Sequence, residues 1–128
     1  MHLYIAGKIG EEVISEATRK KFLKVKHRLE EMGHRVFDPT DPWWQTNLNN
    51  CYETDRWCNT WINETIKKYD YILLRDLAVI ATVDAVFMMK DHNESPGASV
   101  EEEYARVIKK PLFYENSSFD MAKLSKLK

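Results

Sequence analysis

The chain has 128 residues, 44% of them hydrophobic and 30% charged, with a formal net charge of −1. That length fits one domain with a core of its own. Balanced charge and the lack of any apolar run long enough for a bilayer exclude a broad phosphate-gripping surface and a membrane span, so neither polymeric nucleic acid nor a membrane is expected as a partner. The opening MHLYIAGKIGEE has no signal-peptide layout, and Cys51 and Cys58 form no CxxC motif. Both features predict a cytoplasmic protein with reduced thiols. The four histidines are scattered, so no metal site is expected.

In chain order, HLYIAG predicts a buried strand ending in glycine. Glu11 to Met32 predicts a long helix, with Phe22, Val25, Leu29 and Met32 at helical spacing and Gly33 as its stop. HRVFDP predicts a second strand closed by Pro39, completing a βαβ unit. The segment around 40–62 is polar and rich in tryptophan, an insertion expected to run as a loop into a helix through NETIKKY. YDYILLRDLAVIATV predicts a further helix, and DAVFMM a strongly apolar third strand. Ser95 to Lys110 predicts a loop entering a helix, with Val100, Tyr104, Val107 and Ile108 on its buried side. PLFYE predicts a last strand, and NSSFDMAKLSKLK a short tail, mobile at its end.

Strands this apolar, alternating with helices, imply an α/β fold. It is a flavodoxin-like or Rossmann-like parallel sheet of four to five strands with helices on both faces. Ligands of such sheets bind beyond the carboxyl ends of the strands. Three segments would converge there: Gly7 to Gly10, the tryptophan-rich insertion, and Lys90 to Gly97.

The candidate groups each carry a bland account and a functional one. Glu101, Glu102 and Glu103 follow a Ser-Pro-Gly turn, and Ser99 with Glu102 fits an S-x-x-E capping box. Glu101, four before the small Ala105, is placed to face the crevice, where an ionised carboxylate suits attack on a sugar carbon. Asp76 lies among Leu73, Leu74, Leu77 and Ile80, and faces either water or the site. Asp84 is expected to serve a turn or cap. Tyr4 is either core packing or a site hydroxyl. Gly7, Lys8 and Gly10 form either an exposed turn or a backbone cradle for phosphate. Trp43 and Trp44 stack on a flat ligand, bind another subunit, or pack the loop.

Three segments in order resemble the nucleoside 2-deoxyribosyltransferase superfamily, in the style of its short phage and bacterial branch and of the 2′-deoxynucleoside 5′-phosphate N-hydrolases. They are LYIAGKI, RDLAVIATVDAVFMM and SPGASVEEEYARVIKKPLFY, the last like the family's S/D-x-G-[AT]-x-x-E turn and helix. The resemblance implies cleavage, or transfer, of an N-glycosidic bond without metal or organic cofactor. It implies Glu101 as the nucleophile, Asp76 as the group that helps protonate the departing base, and Tyr4 as the hydroxyl that positions Glu101. Ser95, where transferases of free nucleosides carry an acid, points with Lys8 to a nucleoside 5′-monophosphate, with Gly7, Gly97 and Ala98 also expected to bind substrate. Gly10 stands where the nucleotide hydrolases often carry arginine, and the tryptophan-rich segment has no counterpart. A pocket completed by a neighbouring subunit, near Asn116 to Ser118, implies a homodimer or larger homo-oligomer. The competing expectations are a non-catalytic nucleotide-binding protein on the same fold and a partner-binding patch of Trp43, Trp44 and Trp57.

Overall fold

The computed structural model describes residues 1–10, 13–55, 58–59 and 64–127. Strand β1 (His2–Ala6) lies at the centre of a four-stranded sheet with β2 (Arg35–Phe37) on one side and β5 (Ala85–Met88) on the other, followed by β6 (Leu112–Tyr114). All three pairings are parallel, with Tyr4 opposite Phe37 on one side and Val86 on the other. Between β2 and β5 come α2 (Pro42–Asp55), a short antiparallel pair β3 (Cys58–Asn59) and β4 (Glu64–Thr65), and α3 (Lys68–Ile80). Helices α1 (Glu16–Glu31), α4 (Pro96–Val107) and α5 (Ser118–Lys126) complete the α/β fold.

The pleat divides the sheet into two faces, because successive strand residues point opposite ways. Leu3 and Ile5 of β1 join Ala85, Phe87 and Phe113 in a core that Phe22, Val25 and Leu29 of α1 and Leu124 of α5 cover. Tyr4 and Ala6 point the other way, to Val86 and Met88 and beneath Ile80, Ala98 and Ala105 of α3 and α4. Helix α2 extends this second layer, packing Trp44 and Leu48 against Tyr71 of α3. Helices therefore cover both faces. The chain turns to opposite faces after β1 and after β5, which makes the gap between these strands the topological switch point.

Four expectations are corrected. The first helix begins at Glu16 because Ser15 caps it, accepting the Thr18 N–H at 3.2 Å; Glu11 and Glu12 lie outside the described residues. It stops as predicted at Gly33, whose φ of 96° is a left-handed conformation that glycine adopts without strain. The tryptophan-rich segment is helical from Pro42, not a loop, and the chain then forms the β3–β4 pair before α3, not one helix through NETIKKY. Asp41 accepts the N–H groups of Trp43 and Trp44 at 2.9 and 3.4 Å, an N-cap followed by proline at the first helical position. On α4 the buried face is Ala98, Glu101 and Ala105, with Val100 and Val107 exposed, so the stripe is rotated from the one expected. The tail is helix α5, anchored by fully buried Leu124.

Candidate active site

Three sequence-distant groups meet on the α3–α4 face of the sheet. The Tyr4 hydroxyl donates a short hydrogen bond to Glu101 Oε2. Asp76 lies beside them, close enough for the Tyr4 hydroxyl to act on it and for its charge to act on Glu101. All are enclosed: Tyr4 is fully buried, Glu101 is 6% exposed and Asp76 7%. The placement follows from local rules. Tyr4 points to this face by strand alternation, and Glu101 shares a helical stripe with Ala98 and Ala105, whose small side chains let α4 approach the sheet. Asp76 lies on the buried side of α3 with Tyr71 and Ile80.

Burial sets the electrostatics. Asp76 is pushed up to about 7, chiefly by desolvation, against the Trp44 hydrogen bond, the Arg75 charge and the Tyr4 hydroxyl, which favour its ionised form. Desolvation and the nearby Asp76 charge push Glu101 up to about 8, while the Tyr4 hydrogen bond pulls the other way. The Tyr4 phenol is raised by burial and by its acidic neighbours, Asp76, Glu101 and Asp38. The two carboxyls titrate as a coupled pair, so a proton kept near neutral pH belongs to both; the Tyr4 hydroxyl, donating to Glu101 Oε2, favours the state with Glu101 ionised and Asp76 protonated.

The tryptophan-rich segment enters through Trp44, which donates its indole Nε1–H to Asp76 Oδ1 at 2.9 Å. Its ring is 8% exposed, meets Phe37 edge-on at 5.1 Å and lies 5.5 Å from the Arg75 guanidinium. It is thus a packed donor and offers no open face for stacking on a ligand. Adjacent Trp43 points outward, 72% exposed, as a helix requires of consecutive residues. Trp57 and Trp61 lie outside the described residues.

The turn residues sit together at the switch point. Gly7 has no room for a side chain, because a Cβ there would meet Met89 Sδ at 2.6 Å. The Lys8 N–H donates to Asp91 Oδ1 at 3.1 Å, and its ammonium lies 3.6 Å from Glu94. Lys21 donates to Asp91 Oδ2 at 2.6 Å, tying the loops after β1 and β5 together. Ser95, not Ser99, caps α4, accepting the Ala98 N–H at 3.2 Å, so Glu101 to Glu103 lie beyond the first turn. Gly97 faces the Tyr69 hydroxyl, where a Cβ would stand 3.4 Å away. Ala98 is 1% exposed and packs in the apolar cluster around Tyr4. Asp84 is structural, accepting the His2 N–H at 2.7 Å.

Sequence reasoning missed Asp38 and Phe37. Phe37 stacks on Tyr4 with ring centroids 5.8 Å apart. Asp38 is buried, raised by desolvation, and held by the Thr40 N–H and hydroxyl at 2.8 and 2.7 Å. Its place at the carboxyl end of a parallel strand was the available signal. Among the described residues no cluster of His, Cys, Asp or Glu is arranged to hold a metal ion, and no helix is long and apolar enough to cross a membrane.

A 2-deoxyribosyltransferase from the psychrotolerant bacterium Bacillus psychrosaccharolyticus has a similar fold, with a TM-score of 0.54 and 17% identity over 89% of this chain and 71% of that one. No curated protein matches the sequence. Residues 1–114 match the family model described as a domain of unknown function, DUF4406, and the chain belongs to that family.

Proposed function

We propose that the protein cleaves, and in the presence of an acceptor base transfers, the N-glycosidic bond of a deoxynucleoside or its 5′-monophosphate. The observation that carries this reading is the Tyr4 hydroxyl donating to Glu101, with Asp76 beside both. A Glu101 oxygen forms a bond to the anomeric carbon as the bond from that carbon to the base nitrogen breaks. The electron pair leaves with the base, which takes its proton from Asp76. Water or a second base then displaces Glu101 and returns a proton to Asp76. Tyr4 orients the nucleophile and stabilises its charge before attack and after release. The fold shared with a deoxyribosyltransferase supports the same class of chemistry.

The sugar's 5′ end would lie toward the Lys8–Ser95 side of the site. There Glu94 and Asp91 already engage Lys8, so a phosphate must displace Glu94 from its ammonium to gain it. Exposed Trp43, Val100 and Val107 are surfaces for the homo-oligomer that the reading includes. The near-complete burial of both carboxyls favours a second reading, a nucleotide-binding protein without turnover.

Incubation with a panel of deoxynucleosides and deoxynucleoside monophosphates, with and without an acceptor base, separates the two. Free or exchanged base on a chromatogram is the expected result. Thermal stabilisation by these compounds with no base released under any condition would leave only the binding reading.

A further inference from the structure

Asp76 is surrounded by groups from four elements. Trp44 of α2 donates to its Oδ1, and the Tyr4 hydroxyl of β1, which donates to Glu101, lies near enough to favour the ionised form of Asp76. Arg75, its neighbour on α3, lends positive charge, and Glu101 of α4 faces it as a second acid. Asp38, at the end of β2, acts on Tyr4. Among these the indole is the group in direct hydrogen-bond contact with the Asp76 carboxyl, and it is a donor only. It can neither take a proton from Asp76 nor reverse its role, so the oxygen it bonds must serve as an acceptor.

The indole is itself held firmly. Phe37 meets its ring edge-on, Leu48 and Tyr71 pack around it, and the Asp41 cap fixes the start of its helix. A donor on a locked ring defines which carboxyl oxygen remains free to carry hydrogen.

We propose that Trp44 is a positioning residue: its indole N–H commits Asp76 Oδ1 as an acceptor, so that the proton Asp76 delivers to the departing base is carried on Oδ2. The purpose of the device rests on the reaction proposed above, whereas the Trp44–Asp76 link is testable without it. In the step itself the Oδ2–H bond breaks as the N–H bond of the base forms. The new carboxylate keeps the indole as its donor, and the proton returns from the attacking water. Trp44 thereby acts on the substrate through an acid.

Two measurements test the link. In proton–nitrogen correlation spectra of the wild-type protein, one indole N–H resonance should titrate together with the Asp76 carboxyl and cease to titrate in Asp76→Asn. In Trp44→Phe, which keeps an aromatic ring and removes the donor, carbon NMR of Asp76 in a Glu101→Gln background should show its midpoint raised by about one pH unit, since a hydrogen bond to a charged group holds roughly tenfold or more in equilibrium constant. With Glu101 intact, the alkaline limb of the pH profile for base release should move up with it while KM stays near its wild-type value. A purely structural Trp44 would lower stability and leave the midpoint in place. An unmoved midpoint, or an indole resonance blind to Asp76, overturns the proposal. If Trp44→Phe does not fold, the wild-type indole titration and its loss in Asp76→Asn decide. Linked titrations in a protein that releases no base would support the link and overturn the reaction.

Discussion

Strand β1 sends Leu3 and Ile5 into one layer and Tyr4 and Ala6 into the other, and the two layers have little in common. Under α1 and α5 the buried cluster runs from Phe22 and Leu29 to Phe113 and Leu124, and its buried polar neighbour His34 is satisfied by the Leu124 carbonyl at 2.8 Å. Under α2, α3 and α4 a comparable set of apolar residues encloses Tyr4, Asp38, Asp76 and Glu101. The first layer gains stability from the apolar side chains it removes from water. The second keeps two carboxyls in a place where their ionisation is unfavourable, and holds them with hydrogen bonds from a phenol and an indole. The pleat makes this division possible, since adjacent residues of a single strand serve opposite layers at no cost to the backbone ladder.

The comparison breaks most sharply at Glu101. Glu101→Gln keeps an acceptor for Tyr4 but removes the proposed nucleophile, so base release should fall at least about a thousandfold. Phe22→Ala should do the reverse. It should cost about 3–5 kcal/mol of unfolding free energy in a denaturant titration, with turnover per folded molecule unchanged. Equal damage to activity and stability from both variants would mean that the layers are not functionally distinct.

The pH dependence of stability sharpens the same contrast. Asp76 and Glu101 are raised in the folded state to about 7 and about 8. Between the ordinary carboxyl range, near pH 4, and those values, the folded protein binds more protons than the unfolded chain. Stability is therefore greatest at the acid side of this window and falls as pH rises through it. Glu101→Gln should then match wild type near pH 5 and exceed it by about 2 kcal/mol near pH 9. Thermal or denaturant unfolding at the two pH values checks the sign. The smallest effect is expected for Tyr4→Phe. It removes the donor to Glu101, raises the pH at which Glu101 ionises, and should lower the initial rate of base release about tenfold near neutral pH.

Much of this architecture was legible in the chain. The apolar runs at β1, β5 and β6 and the helical spacing of Phe22, Val25 and Leu29 are strong local patterns, and they survive in the fold. Asp41–Pro42 was a legible helix start, masked by the polar composition that follows. The face of α4 was not legible, because Ala98, Glu101 and Ala105 form a stripe that hydropathy alone reads as weak beside Val100 and Val107. The α5 tail was misjudged for a related reason: a single leucine, Leu124, anchors it, and its value depends on a core supplied by distant strands.

By itself the sequence determined the order of the four sheet strands and of the helices between them, the parallel sheet, and the set of acids and phenols from which a site is drawn. Those features depend on periodicity and on backbone preferences that act over a few residues. Only the tertiary structure decided that Trp44 would meet Asp76, that the charge of Asp38 would act on Tyr4, and that two carboxyls would share one buried enclosure. Such meetings are set by how α2, α3 and α4 pack over one face of the sheet. Packing of that kind brings together side chains tens of residues apart, whose mutual field appears only once water has been removed from around them.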